Sequence, residues 1–391
     1  MKRVAFFAEI LIKDFDGASR TMFQLIDRLD ASAMEYFFIY GKGPETFRHY
    51  LSYRVPSINI PVNADYSLAL PFMVKKNLEQ VLDNFAPDAI HISTPSPLGY
   101  YALKYAKRRN IPVLTIYHTH FISYIPYYLR HAPLFIKMVE NWIQHTMRKF
   151  YNSCNQLYVP SIAMIHELEN LGIAREQMTL WQRGIDLELF STKKRDITYI
   201  QHITKNKKPN ILFASRLVWE KNIQTLIDIY TYMESQNMDY NFIVAGDGTA
   251  KKEAMAQMPN ALFLGKLNHE ELSKVYASSD VFLFTSVSET YGNVVIEAMA
   301  SGLPCVIANG GGSGDLINHG QNGFKCTPNC PKEYAYFIQR LMEQPIIYKD
   351  IQLAGFNYVQ QLDWDNLAHR YFSDMHLLAN LPQAQLAWVT S

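Results

Sequence analysis

The stretch VFLFTSVSETYGNVVIEAMASGLPCVIA, residues 281–308, has the strand–loop–helix–strand pattern of a βαβ unit. The apolar run VFLFT predicts a buried strand, and PCVIA predicts the next one. Between them the polar turn SVSETYGN leads into the short helix VVIEAMAS, and Gly302 suits the position just past a helix end. The chemistry of such a unit lies at the strand-to-helix loop, where backbone N–H groups at the helix start can hold an anion.

Two carboxylates stand at this loop: Glu289 precedes the helix and Glu297 lies within it. Between them Gly292, Asn293 and Val294 are expected to supply N–H groups to an oxyanion or phosphate. An anion on these amides, with carboxylates that can bind neutral polar groups, suits a nucleotide-sugar better than a metal ion. An ordinary βαβ turn with solvated acids is the alternative, and the spacing alone does not decide between the two.

The length and composition indicate a two-domain globular protein. A chain of 391 residues exceeds the usual size of a single core, and 48% hydrophobic with 19% charged residues is typical of folded proteins. A formal net charge of +1 argues against a whole-protein electrostatic surface for nucleic acid. The beginning MKRVAFFAEILIKDFDG favours a first strand over a signal peptide, because charged residues interrupt its apolar run. The four cysteines are expected to be thiols in a reducing cytosol.

Apolar strands alternate with helical segments in both halves of the chain, which predicts two mainly parallel, doubly wound sheets. The polar, lysine-rich segment 191–209 is expected to link them. We therefore predict an N-terminal domain over residues 1–195 and a C-terminal domain over residues 196–360. Two such domains facing one another would form a cleft between their strand ends.

Two residues of the first half stand at predicted strand ends. Gly17 lies at the first strand-to-helix crossing, where a glycine lets the backbone approach a ligand, although a plain turn glycine is the alternative. His118 follows a strand at the edge where such sheets bind ligands. A metal site with His120 lacks a third ligand nearby in sequence, and a satisfied strand-end histidine is the alternative.

Residues 121–152 form an aromatic and basic segment with one apolar helical stripe. The stripe predicts a helix packed against the core. The tyrosines, arginines and lysines between Tyr127 and Lys149 support a sharper alternative, an interfacial surface that meets anionic lipid.

Cations and glycines follow the strands of the second half. Arg216 and Lys221 share a strand-to-helix loop and together could hold a diphosphate, with a solvated loop as the alternative. The GDG of residues 246–248 begins like a dinucleotide fingerprint, but Lys251 occupies the place of the third glycine. The glycine-rich residues 310–314 are able to bring bare N–H groups to an anion.

Taken together, these motifs resemble the large retaining glycosyltransferase family 4, whose GT-B fold has two Rossmann-like, doubly wound domains facing across a cleft. The resemblance spans nearly the whole chain. Its most specific piece, SETYGNVVIEAMASGLPCV, matches the family's E-x7-E motif at Glu289 and Glu297. SRLVWEKN, GDG, FLGKL, HEELSKVYASSDVFLF and HGQNGF occur in the family's order. HTHF, VPSIAMIHEL and RGIDLELF are most similar to the branch of bacterial lipid mannosyltransferases and sulfoquinovosyl diacylglycerol synthases.

The resemblance implies transfer of a hexose from GDP-mannose or a UDP-hexose to an acceptor hydroxyl, with retention of configuration. The expected acceptor is a lipid, such as a membrane glycolipid, or another glycan. No cofactor, no metal and no nucleic acid are expected. The expected location is cytoplasmic and peripheral on the inner face of a membrane, which the region from Tyr127 to Lys149 would contact. The alternatives are a nucleotide-sugar epimerase, a glycan phosphorylase of the same fold or a non-catalytic nucleotide-sugar-binding module.

The resemblance also assigns roles to matched positions and returns the last helices, about residues 361–391, to the N-terminal domain. His118 and Glu289 are the expected catalytic residues, and both would contact the transferred sugar, with Glu289 holding its hydroxyls rather than acting as a base. The residues expected at the donor diphosphate are Gly17, Arg216, Lys221, Gly292, Asn293 and Val294. Those expected at the nucleoside are Glu297, Gly246, Lys266 and Leu267. Ser215 and Asp315 depart from the family pattern, where glycine and glutamate are usual.

Overall fold

The computed structural model describes residues 1–13, 15–30, 32–60, 63–118 and 135–382. Its contacts divide the chain into two compact units. Unit 1 comprises Met1–Pro160, Ile165–Trp181 and Asp365–Ser391, and unit 2 comprises Ser161–Met164 and Gln182–Trp364. Each unit is built on a parallel sheet, which confirms the prediction of two Rossmann-like domains.

Unit 1 contains two nine-residue strands together with shorter ones. They are β1 (Lys2–Ile10), β2 (Met34–Lys42), β3 (Leu51–Arg54), β4 (Ser57–Ile60), β5 (Asn63–Ala69), β6 (Ala89–Ile92), β7 (Val113–Ile116), β8 (Gln156–Val159) and β9 (Met178–Leu180). Within the described ranges, seven of them form a parallel sheet in the order β3-β2-β1-β6-β7-β8-β9, and β4 pairs with β5 as an antiparallel hairpin. Every residue of β6 and β7 is buried, as expected for parallel strands covered on both faces.

The helices of unit 1 connect these strands. They are α1 (Gly17–Ile26), α2 (Lys75–Phe85), α3 (Pro97–Arg109), α4 (Ile136–Tyr151) and α5 (Ile162–Asn170), whose first residues belong to unit 2. The start of α1 is set by Asp16, whose Oδ1 accepts from the Ser19 backbone N at 2.8 Å. The start of α3 is set by Ser96, whose Oγ accepts from the Gly99 backbone N at 3.1 Å.

Unit 2 repeats the alternation. Its strands are β10 (Asn210–Ala214), β11 (Asn241–Ala245), β12 (Leu262–Gly265), β13 (Val281–Phe284), β14 (Cys305–Ala308) and β15 (Phe324–Cys326). Its helices are α6 (Ile197–Thr204), α7 (Ile223–Ser235), α8 (Lys251–Gln257), α9 (His269–Ser278), α10 (Asn293–Ala300), α11 (Gly311–Gly314), α12 (Pro331–Glu343) and α13 (Pro345–Val359). The parallel order is β12-β11-β10-β13-β14-β15, so β13 lies in the middle of the sheet and its four residues are all buried.

In the described ranges, short 3-10 turns lie at Pro71–Val74, Arg175–Gln177, Thr192–Lys194 and Trp219–Lys221. No helix in the described ranges combines the length and apolar character needed to span a bilayer.

The passage from unit 1 to unit 2 comes before the segment expected to link the domains. Contacts divide the chain after Trp181, so the expected boundary at residues 195/196 lies inside unit 2. Ile185 and Phe190 pack in the unit 2 core, and Ile200 of α6 joins them. The lysines around α6 make the segment polar in composition, so the sequence did not indicate that its apolar residues belong to the core.

The last helix, α14 (Trp364–Ala379), packs on unit 1 through polar contacts. The Trp181 Nε1 donates to the Leu367 backbone O at 3.1 Å. The Tyr371 hydroxyl lies 2.9 Å from the Nδ1 of His91, a buried residue of β6. Asp374 accepts from the Tyr158 hydroxyl at 2.6 Å. The return expected from about residue 361 thus joins unit 1 at Asp365, and its last part, residues 383–391, lies outside the described residues.

Candidate functional site

The loop from β13 to α10 carries the acid singled out first in the sequence. The helix begins after Gly292, whose φ of +99° lies in the left-handed region that favours glycine. No described side chain caps this start, so the amides of Asn293 and Val294 are available to an anion. The Oδ1 of Asn293 is enclosed and accepts no hydrogen bond from the described residues.

Lys221 and Glu289 are in direct contact, with Nζ donating to Oε1 at 2.7 Å. Lys221 is only 4% exposed, and a cation so buried requires a partner because burying an unpaired charge is costly. The Thr285 Oγ1 donates to the Lys221 backbone O at 3.2 Å, and the Ser288 Oγ donates to the Glu220 backbone O at 2.9 Å. These three bonds join the loop after β10 to the loop after β13.

Arg216 lies two residues after the end of β10. Its side chain is 62% exposed, and its Nη2 lies 3.7 Å from Oε1 of Glu220. The two cations expected at the diphosphate therefore differ in their surroundings. Lys221 is buried and paired, whereas Arg216 is an exposed guanidinium with an acid beside it.

Glu297 is buried on α10, where it is 7% exposed. Its Oε2 accepts from the Tyr276 hydroxyl at 3.3 Å. Tyr276 is fully buried on α9, so it holds the carboxylate from the core side. The two acids of the E-x7-E motif thus make different contacts. Glu289 pairs with Lys221, and Glu297 accepts a hydrogen bond from the hydroxyl of Tyr276.

The GDG loop packs against the loop that carries Arg216. A Cβ at Gly246 would lie 1.8 Å from the Ser215 backbone O, and one at Gly248 would lie 2.4 Å from the Leu217 backbone O. Both glycines have positive φ. They permit a close approach of two backbones, and the nucleoside-binding role of Gly246 stays a prediction.

The glycine-rich residues 310–314 brace the loop of Glu289. The Gly312 backbone N donates to the Glu289 backbone O at 2.6 Å, and a Cβ on Gly312 would lie 2.1 Å from the Thr290 backbone O. The amide of Gly312, expected to be bare, is thus used within the protein.

The remaining predicted positions lie at other strand ends. Lys266 is exposed and Leu267 is half-buried directly after β12, two strands away from β10 in the sheet. In unit 1, Gly17 is the first residue of α1. His118 is 7% exposed and follows β7 closely, as predicted from the sequence. His120 lies outside the described residues.

Two acids with notable surroundings were not singled out in the sequence. Glu220 is next to Lys221, and nothing in the sequence distinguished it from a solvated acid. Glu9 interrupts the apolar run of β1, and its Oε1 accepts from the Ala69 backbone N at 2.9 Å. Burial raises the pKa of Glu9 to about 7, against the opposing hydrogen bonds of Ala69 and Ser96. The position of Glu9 within an apolar strand could have indicated a buried acid from the sequence alone.

Among the described residues, no group of three or more His, Cys, Asp or Glu side chains is arranged to hold a metal ion. Metal independence stays a prediction.

Comparisons with known proteins identify the family of the chain. The family model described as Glycosyl transferases group 1 matches residues 195–357, and the model described as Glycosyltransferase Family 4 matches residues 15–189. The GDP-mannose-dependent alpha-mannosyltransferase of Corynebacterium glutamicum is 31% identical over 329 residues, covering 82% of this chain and 76% of that protein. A sulfoquinovosyl transferase of Arabidopsis thaliana is 30% identical, covering 82% of this chain and 62% of that protein.

Among solved structures, Anabaena HepE in complex with UDP and glucose has a TM-score of 0.73 at 18% identity, covering 97% of this chain and all of that one. Sucrose-phosphate synthase of Thermosynechococcus elongatus has a TM-score of 0.74 at 17% identity, covering 97% of this chain and 99% of that one. These likenesses support the fold, and the relatives above establish the family. The chain belongs to glycosyltransferase family 4, and it is a retaining hexosyltransferase with the GT-B fold that uses a nucleotide-diphosphate sugar.

Proposed function

We propose that this glycosyltransferase transfers mannose from GDP-mannose to a hydroxyl of a membrane glycolipid. The observation that carries the donor side is the 2.7 Å contact between Lys221 and Glu289 beside the start of α10. It combines a cation, a carboxylate and helix amides, which suits a phosphate joined to a sugar. GDP-mannose is the first candidate donor because the Corynebacterium relative is named for it, and a UDP-hexose is the second.

In this proposal, each side chain acts on one part of the donor. Arg216, Lys221 and the amides of residues 292–294 hold the diphosphate and stabilise the charge that develops as it departs. Glu289 binds hydroxyls of the sugar, and Glu297 binds those of the ribose. Gly246, Lys266 and Leu267 belong with the base. In unit 1, Gly17 would lie beside the diphosphate, and His118 would contact the transferred sugar.

The donor is tested by incubating the pure protein with GDP-mannose, UDP-glucose or UDP-galactose and measuring the release of free nucleotide diphosphate. GDP-mannose should give the fastest release and the largest rise in melting temperature. The rates should be unchanged by EDTA, because Arg216 and Lys221 replace a metal at the diphosphate. Failure of every donor to react or to shift the melting temperature would contradict the proposal.

The acceptor side rests on an exposed apolar stripe along α4. Phe135, Met138 and Trp142 are 54%, 60% and 66% exposed, and their spacing puts them on one face of the helix. Lys137 and Lys149 are exposed on the same helix. An aromatic and apolar stripe with lysines suits the interface of an anionic membrane, on whose inner face the enzyme would meet a lipid acceptor. The rest of the proposed surface, from Tyr127 to residue 134, lies outside the described residues.

Co-sedimentation with liposomes tests this surface. Wild type should bind vesicles of phosphatidylglycerol and phosphatidylcholine at low salt, and Trp142→Gln should bind more weakly. Ile346→Gln, at a 77% exposed position of unit 2, is the matched control and should bind like wild type. An absence of binding by wild type at low salt would remove the membrane part and leave polysaccharide or small-molecule acceptors.

A further inference from the structure

Glu220 occupies an unusual position for an acid beside an anion site. Its side chain is 11% exposed, and its Oε2 is enclosed and receives no hydrogen bond from the described residues. Its Oε1 lies 3.7 Å from the Nη2 of Arg216. An enclosed carboxylate is costly unless a cation compensates it. Since the neighbouring Lys221 binds Glu289, Arg216 is the cation that faces Glu220.

The backbone of Glu220 is fixed at the same time. Its carbonyl O accepts from the Ser288 Oγ at 2.9 Å, and the 3-10 turn Trp219–Lys221 holds the residue between Arg216 and Lys221. The carboxylate is thus held by the protein, whereas the guanidinium is 62% exposed. Arg216 is the mobile member of this pair because a long exposed side chain has many rotamers.

We propose that Glu220 is a positioning residue that holds the guanidinium of Arg216 ready for the donor diphosphate. A guanidinium carries five N–H donors, so pairing through Nη2 leaves donors for a phosphate. Restricting Arg216 in advance lowers the ordering entropy that diphosphate binding must overcome. This inference rests on the proposed role of Arg216 in diphosphate binding. Glu220 by itself repels the diphosphate, and it favours diphosphate binding only because it positions Arg216.

The inference is tested by titrating GDP and UDP into wild type, Glu220→Gln, Arg216→Gln and the double variant in a calorimeter. Glu220→Gln should raise the Kd about two- to fivefold, the scale of an ion pair with one exposed member. In the Arg216→Gln background the same change should have little effect or tighten binding, because the acid then only repels the diphosphate. Glu220→Asp, which keeps the charge but shortens its reach, should lie between wild type and Glu220→Gln.

Two controls separate positioning from general damage. Glu253→Gln, at an exposed acid of α8, should bind like wild type. Melting temperatures without nucleotide report on folding, and Glu220→Asp replaces Glu220→Gln in the cycle if the latter melts much lower. An unchanged Kd in Glu220→Gln, or equal losses in both Arg216 backgrounds, would overturn the inference alone. If wild type binds neither nucleotide, the proposed function is wrong and the inference falls with it.

Discussion

Glu289 has one carboxylate oxygen engaged by the Nζ of Lys221 at 2.7 Å. An oxygen that accepts from a buried ammonium is poorly placed to take a proton from an acceptor, so the contact agrees with a sugar-holding role. The side chain is 23% exposed, which leaves part of it accessible to a ligand. The pairing also joins the loop after β10 to the loop after β13, which are far apart in sequence but close in space.

Substitutions of Glu289 distinguish hydrogen bonding from acid–base chemistry. Glu289→Ala should abolish turnover because it removes the sugar contact and leaves Lys221 buried without its partner. Glu289→Gln should retain measurable turnover because its amide oxygen can still accept from Lys221. Initial rates and donor Kd check both. Equal and complete loss in the two variants, with donor binding intact, would favour acid–base chemistry instead.

Glu9 predicts a pH dependence of stability in unit 1. Burial raises its pKa from 4.5 to about 7, so the folded state retains a proton that the unfolded state releases. This stabilising contribution is full below pH 4.5 and is lost as the pH rises through 7. Glu9→Gln cannot ionise, and its amide oxygen can still accept from Ala69. Relative to wild type, its free energy of unfolding should rise by about 2 to 3 kcal/mol between pH 5 and pH 8.

Urea unfolding at the two pH values measures this difference. Glu35→Gln, at an exposed position of β2, provides the control and should show no such change. A constant difference between wild type and Glu9→Gln across this range would contradict the burial of an ionisable Glu9.

At the scale of elements, α11 and the loop after β13 form one packed assembly. Gly312 lies so close to Thr290 that a Cβ would be 2.1 Å from its backbone O. Gly314 belongs to the same helix, yet a Cβ there would meet nothing nearer than 3.8 Å. The two glycines therefore have different reasons to be present, which sequence alone did not distinguish.

Gly312→Ala should displace the loop of Glu289 and weaken donor binding by about tenfold or more, because a shift of about 1 Å misplaces the polar groups of a site. Gly314→Ala is the matched control and should bind the donor like wild type. Calorimetric titration with nucleotide and thermal melting of both variants check the prediction. Equal affinities in the two variants would show that the loop tolerates the displacement.

The sequence was sufficient for the elements with strong patterns. The alternation of buried runs and helices predicted the parallel sheets, and the E-x7-E motif located the loop before α10. The strand β3 and the hairpin of β4 and β5 were not predicted, because short strands of mixed exposure have no clear period. The contact of Lys221 with Glu289 could not be read from the sequence, since it joins loops of different strands and no local pattern specifies it.

At the scale of the whole molecule, α14 contributes part of the core of unit 1. Burial lowers the pKa of His91 to about 3, so the imidazole is neutral in the folded protein at ordinary pH. Its Nδ1 lies 2.9 Å from the Tyr371 hydroxyl, and its ring stacks on Phe6 at 4.0 Å. This contact joins two segments that are 280 positions apart in sequence.

Tyr371→Phe should destabilise unit 1 by about 1 to 3 kcal/mol, because it leaves a buried imidazole nitrogen without its partner. Hydrogen exchange of peptides from β6 should accelerate, while peptides of unit 2 should exchange as in wild type. Tyr336→Phe, at a 58% exposed tyrosine of unit 2, serves as the control. Unchanged exchange in β6 would show that α14 is not energetically coupled to this strand.

The division of the chain was the least predictable feature at this scale. Polar composition placed the boundary at residues 195/196, whereas contacts divide the chain after Trp181. The composition of a segment such as α6 reflects mainly its exposed residues. The domain to which it belongs depends on the few apolar residues that face the core, here Ile200. The packing of α14 on unit 1 was inferred from family resemblance. Neither the spacing of its apolar residues nor its charged residues indicates on which sheet it packs.

The position of α14 has a consequence for the order in which the protein forms during translation. Residues 182–364 leave the ribosome as one uninterrupted stretch that contains nearly all of unit 2. The earlier segments of unit 1, which end at Trp181, emerge before that stretch, but His91, Tyr158 and Trp181 receive their partners only when residues 367–374 are made. The domain synthesised first is therefore the one completed last, because its final helix is made only after the whole of unit 2.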